Sequence, residues 1–350
     1  MTKAPFPYFG GKSKIAGEVW KAFGTVKGYY EPFAGSIACL LEKPFDQNRF
    51  EVVNDMDHYI VNFWRSVKND PEQTAYYAND INAEADLMAK HIWLVNEGRA
   101  LIENMEADPA LYNPQVAGWW VWGMANWIGS GFCTGEGPWQ AVDGKLVKSD
   151  GQGVKRQLLH LSPGQGVNRQ RLHLSDGQGV ERRLPNLGCD GLGVNRKRLH
   201  LGNNGLGVNK GYPAILNYFE EIAERLRYVR ICCGDWERIV TTGATCAHLP
   251  AGVFLDPPYS NGIRSKGLYS HDDGDVTRRV YDWCLKNQDN FRIVLAGYEG
   301  EYDLPGWSII RWKASTTLQR ASGNGKNKEN RFKETLWLSP SCITEPERLL

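Results

Sequence analysis

Short apolar runs alternate with longer amphipathic stretches along most of this chain. The strand ending in Tyr29-Tyr30, the run Val253-Phe254-Leu255, and residues 50–53, 229–233, 291–296, 308–312 and 334–338 are compact. They are rich in β-branched and aromatic side chains, and Gly, Pro, Asn or Asp often bound them, so they predict strands. From 58 to 128 the pattern is largely helical, with a helix start at Asp70-Pro71-Glu72. Further on, Ile215, Phe219, Ile222 and Leu226 form one apolar stripe with charges opposite, predicting a helix from Tyr212 to Arg227. Strands interleaved with helices predict an α/β protein. Residues 117–128 are unusually tryptophan-rich, but the run is well short of the ~20 residues needed to cross a bilayer. Most of its tryptophans are expected in the core.

The polar residues that punctuate these runs carry the chemistry. Asp256-Pro257-Pro258-Tyr259 follows a strand end. Its two prolines fix φ at successive positions and remove two backbone donors, leaving carbonyls as acceptors. A carboxylate and a proline carbonyl can accept both hydrogens of an amino group while the tyrosine ring stacks on a flat heterocycle. That suits the exocyclic amine of a flipped-out base, although the tetrapeptide alone reads equally as a tight turn. Glu31-Pro32-Phe33-Ala34-Gly35-Ser36 places a glycine turn between a strand and a helix at 37–41, where the missing Cβ lets backbone approach a ligand. Asn54-Asp55-Met56-Asp57 closes the next strand, and an acid at that tip is where a doubly wound fold hydrogen-bonds a ribose. Tyr8-Phe9-Gly10-Gly11-Lys12 leads into Ser13, but a phosphate loop needs glycine where Phe6 stands, so spacing excludes a nucleoside triphosphatase.

An internal repeat lies between 151 and 211. Gly-x-Gly-Val recurs from Gly151, Gly164, Gly177, Gly191 and Gly205, a period of 13 to 14 residues. The period is too short for the helical repeat families and suits a strand plus a glycine turn. Arg156, Arg169, Arg182 and Arg196 recur at one place in the repeat, a ladder suited to phosphate tracking or base reading. A repetitive spacer is the competing reading. The segment holds ten Lys/Arg against three Asp/Glu, a local +7, and because the chain totals +1 the remainder carries −6.

As a set, these motifs resemble the Dam-like (class alpha) DNA adenine-N6 methyltransferases, many of them phage-encoded. The FGGK segment, the EPFAGS loop, the strand-end acid, a DNA-recognition region and DPPY stand in that family's order over roughly 5–65 and 212–340. Gly234-Asp235-Trp236 matches as well, since the family carries an acid there near the donor's adenine. Ile37 stands where the family usually has a further glycine. The resemblance implies a Rossmann-like methyltransferase sheet, with S-adenosylmethionine as the cofactor and double-stranded DNA as the partner. It implies a donor pocket of Tyr8, Phe9, Gly10, Gly11, Lys12, Glu31, Pro32, Phe33, Ala34, Gly35, Ser36, Asp55, Asp235 and Asp256. Asp256, Pro257, Pro258, Tyr259 and Lys12 are the implied catalytic set. Asn126-Trp127, with Phe132, resembles the family's segment at the edge of DNA recognition. Arg264 and Lys266, in a polar glycine-rich loop after Tyr259, join the repeat arginines as expected DNA contacts. A second basic cluster, Lys326, Lys328, Arg331 and Lys333, reads as phosphate contact or solvated face. Residues 1–65 and 212–350 are expected to form the catalytic domain, with a mainly helical recognition region at 66–150 and the repeat insertion at 151–211. Cytosine-N4 methylation uses the same clamp but more often has serine before the proline pair, so Asp256 argues for adenine. A catalytically silent DNA-binding relative is the remaining alternative.

The eight cysteines show no C-x-x-C spacing and read as reduced thiols rather than metal ligands or disulfides. No apolar targeting stretch opens the sequence, so a cytoplasmic protein of a bacterial or phage-infected cell is expected, without membrane or metal. Nothing in the pattern calls for more than a monomer, with a dimer on DNA as the variant.

Overall fold

The computed structural model describes residues 4–6, 12–80, 84–127, 132–133, 139–142, 145–148, 211–258, 276–312 and 334–343. In chain order the elements are α1 (Ala16–Phe23), β1 (Gly28–Glu31), α2 (Ala38–Glu42), β2 (Phe50–Asp55), α3 (His58–Asn69), α4 (Pro71–Ala78), α5 (Glu84–Trp93) and α6 (Pro114–Asn126). After them come β3 (Trp139–Val142), β4 (Lys145–Lys148), α7 (Gly211–Leu226), β5 (Arg230–Cys233), α8 (Thr242–Cys246), β6 (Ala251–Leu255), α9 (Val276–Asn287), β7 (Arg292–Tyr298), β8 (Ser308–Trp312) and β9 (Glu334–Leu338). The chain divides into two units, Met1–Gly135 with Arg196–Leu350, and Glu136–Asn195. Within the second, the described residues form an antiparallel hairpin of β3 and β4, with Trp139 opposite Lys148.

The first unit is built on a seven-stranded sheet in the order β5-β2-β1-β6-β7-β9-β8. The first five strands run parallel, and β9 is antiparallel to both β7 and β8. The result is a Rossmann-like α/β sheet. Strand order turns back between β1 and β6, and in such sheets ligands bind beyond the carboxyl ends of the strands at that switch point. Period-two alternation sends successive side chains to two separate cores. Tyr29, Phe254, Val294 and Ala296 join one; Tyr30, Val253, Leu255, Ile293 and Leu295 join the other. Because both faces are covered, β1 and β6 are buried at every position, which is why they read as continuous apolar runs.

Outside the repeats, which lie beyond the described residues, each expected strand appears within a residue or two of its anticipated bounds, as does the helix α7. Asp70 caps α4 by accepting the Gln73 N–H, with Pro71 at the first helical position. The helix α9 was not anticipated; its buried Val276, Val280 and Cys284 are few and sit among charges. In the tryptophan-rich helix α6, Trp120 and Trp122 are buried and Trp119 half-buried. A Cβ at Gly118 would collide with the α4 backbone, so glycine there lets the two helices touch.

Candidate functional site

Three loops meet at the carboxyl ends of β1, β2 and β5. The Gly35 N–H donates to Asp55 Oδ2 (2.8 Å), and the Ala34 N–H to the Asn54 carbonyl (2.8 Å). Trp64 of α3 holds the same turn by donating its indole N–H to the Gly35 carbonyl (2.9 Å). Gly35 has φ +47°, as a tight turn demands, and Ile37 follows at φ +44°, ψ +33°. A β-branched residue in that region carries about 1–2 kcal/mol of strain. Full burial of the Ile37 side chain, worth roughly 1.5–3 kcal/mol, offsets it and explains how the turn closes without a second glycine.

Asn54 joins all three loops and was not singled out from the sequence. Its amide donates to the Pro32 carbonyl (3.1 Å) and the Gly234 carbonyl (2.9 Å), while its buried Oδ1 has no hydrogen-bond partner among the described residues. Asp55 is at the expected strand tip, with Oδ1 accepting the Asp57 N–H (2.9 Å). Burial and the neighbouring Asp57 push its carboxyl up to about 6, against the pull of backbone N–H groups. Asp235 accepts the Glu237 N–H (2.9 Å), and Arg279 of α9 donates to both of its carboxylate oxygens (3.0 and 2.9 Å) and to Glu237 (2.8 Å). Phe33 and Trp236 stack at 5.7 Å between the β1 and β5 loops.

At the other side of the switch point, Asp256 is the first residue beyond β6, followed by buried Pro257 and half-buried Pro258. The Lys12 Nζ lies 3.1 Å from Asp256 Oδ1 and 5.7 Å from the centroid of the Trp312 ring. Lys12 is itself buried, at the head of a single 3-10 turn before α1. Glu31 ends β1, and its Oε2 accepts the Tyr29 hydroxyl (2.9 Å). Burial pushes the Glu31 carboxyl up to about 8; nearby Asp256 adds to this, and the Tyr29 hydroxyl opposes it. Ser36 is buried in the turn that leads into α2.

The structure therefore gathers Lys12, Glu31, Pro32, Phe33, Ala34, Gly35, Ser36, Asp55, Asp235, Asp256, Pro257 and Pro258 around the ends of four adjacent strands. Tyr8, Phe9, Gly10, Gly11, Tyr259, Arg264 and Lys266 lie outside the described residues, as do the repeats with Arg156, Arg169, Arg182 and Arg196 and the cluster at 326–333. Asn126 is buried and donates to the Trp122 carbonyl (2.7 Å). Half-buried Trp127 stacks on His91 at 4.8 Å, and Phe132 packs beside both, its ring filling the place of a side chain at Gly123. Burial lowers the His91 pKa, and its Nδ1 accepts the Cys133 N–H (3.3 Å).

Residues 8–107 match the family described as D12 class N6 adenine-specific DNA methyltransferase. No curated protein matches the chain.

Proposed function

We propose that this chain, whose residues 8–107 match the D12 class N6 adenine-specific DNA methyltransferase family, is an adenine-specific DNA methyltransferase that draws its methyl group from S-adenosylmethionine and acts on an adenine rotated out of double-stranded DNA. The observation that supports this reading best is the Lys12–Asp256 pair at the switch point, beside the Gly35 turn tied to Asp55.

The residues present fit such a donor. Its sulfonium and ammonium are cations, and the half-buried carboxyls of Asp55 and Asp256 stand at the strand ends to face them, with the buried Glu31 carboxyl as a further acceptor. The acid at the β2 tip and the stacked Phe33 and Trp236 suit a ribose and an adenine ring. When bound, the donor supplies an electrophilic methyl on sulfur. Adenine's amino nitrogen is a poor nucleophile because its lone pair is delocalised into the ring. Asp256 and the Pro257 carbonyl accept its two hydrogens, which favours a tetrahedral nitrogen with its lone pair free to attack. Holding two reactants in attack geometry is worth ~7–11 kcal/mol, so positioning carries most of the acceleration. Rotating the base out costs a few kcal/mol. Stacking on Tyr259 offsets roughly 1–3 kcal/mol of that.

The test is transfer of labelled methyl from S-adenosylmethionine to unmethylated duplex DNA, with the modified nucleoside identified. Wild type should yield N6-methyladenine, and Asp256→Ala should transfer about 10²- to 10³-fold more slowly, as for loss of one preorganised polar group. Equal rates would remove Asp256 from the reaction.

A further inference from the structure

Lys12 is bonded to an acceptor that the target amine needs. Asp256 Oδ1 is 3.1 Å from the Lys12 ammonium, so an arriving amino group that takes this oxygen competes with a buried cation for it. A buried cation that gives up part of an ion pair is stabilised by a second anion within reach.

The reversed strand β9 supplies one. Glu334, its first residue, pairs with Tyr298 at the end of β7 and with Trp312 at the end of β8. Directly paired residues send their side chains to the same face of a sheet. Lys12 lies over the Trp312 ring, on the face that Glu334 shares. The Glu334 side chain is buried, with the residue 6% exposed, and its Oε2 has no hydrogen-bond partner among the described residues. An unpaired buried carboxyl oxygen is expensive to maintain, so its position calls for a partner.

We propose that Glu334 is a positioning residue that receives the Lys12 ammonium when the amino group of the target base takes Asp256, an exchange that rests on the methyl-transfer reading above. Glu334 does not touch the reacting atoms; it acts through Lys12. Burial raises the pKa of its carboxyl, Lys12 opposes that rise, and Asp256 adds to it. Other titratable groups stand near this trio, among them Cys39, coupled to Lys12 and Asp256, and Tyr302, coupled to Asp256. Tyr298 faces Glu334 across the β7–β9 ladder, and Glu31 at the end of β1 is coupled to Asp256.

The experiment compares wild type, Glu334→Gln, Lys12→Met and the double variant. Single-turnover methyl transfer would be followed across pH, with donor affinity and urea unfolding measured on the same preparations. Glu334→Gln should slow transfer about tenfold, leave the donor dissociation constant within about twofold, and alter the pH profile. In the Lys12→Met background the same change should cost no further rate, because its route of action is gone. Glu334→Asp, which keeps the charge, should recover part of the loss. A Glu334→Gln protein that only unfolds earlier, with its rate and pH profile intact, overturns the proposal. So does an equal loss in both backgrounds. If wild type transfers no methyl group, the methyl-transfer reading fails, and the unfolding cycle decides the pairing alone. Folding constants that depart from multiplicativity by about fivefold support it, and multiplicative ones overturn it.

Discussion

Glu31 ends a strand on which every residue is buried, and its carboxyl titrates near 8 rather than in the ordinary acid range. In the unfolded chain a glutamate titrates near ~4.3. The folded protein therefore binds the extra proton between these values, and the stability this contributes is complete below the lower one. It is lost as pH rises through the upper one. Glu31→Gln keeps an acceptor for the Tyr29 hydroxyl and has no proton to lose. Relative to wild type it should gain stability as pH rises from about 4.3 to about 8, by at most ~1.4 kcal/mol per pH unit, and level off above that in urea titrations repeated across pH. A difference that stays flat with pH would mean that Glu31 titrates normally. Residue chemistry of this kind was legible where local sequence encodes it. The glycine turn, the strand-end acid and the proline pair all announce themselves within a few positions. Asn54, Arg279 and Glu334 do not, because each acquires its place from a loop or strand far away in the chain. Nothing beside Glu334 separates it from the lysines that precede it.

Helices hold the site by reaching back to the strands with polar side chains. Arg225 of α7 donates to both carboxylate oxygens of Glu51 on β2 (2.7 and 2.9 Å) and to the carbonyls of Leu40 and Lys43 around the end of α2. Arg49 shares Glu51 and covers the face of Trp20. Arg65 of α3 likewise donates to the carbonyls of Ile231, Met105, Asp108 and Leu111. Arg225→Met leaves Glu51 buried with Arg49 alone, and should cost about 3 kcal/mol in urea unfolding. A loss under ~1 kcal/mol would show that Arg49 suffices. Elements as such were largely readable, because strands buried on both faces give unbroken apolar runs. The exceptions have physical reasons. The apolar stripe of α9 is too sparse to stand out, and the short β3–β4 hairpin mixes Trp and Val with Lys and Gln.

Over the whole molecule, charge is divided between the basic segment 151–211 and an acidic remainder. Deleting one repeat, residues 164–176, removes Arg169 and Arg171. Donor affinity should be unchanged in that variant, while DNA affinity falls or site choice shifts. The salt dependence of binding should become shallower by about 0.9 for each phosphate that the variant no longer neutralises. Identical salt slopes for the variant and wild type would assign the segment a spacer role.

The reversal of β9 also bears on how the protein comes into being. A strand running against its neighbours brings its first residue to the edge where theirs end, and so Glu334 comes to the face over which Lys12 lies. Lys12 and Asp256 are both translated well before β9 leaves the ribosome. A nascent chain stalled before that strand should bind donor yet turn over poorly, so that full activity waits on β9.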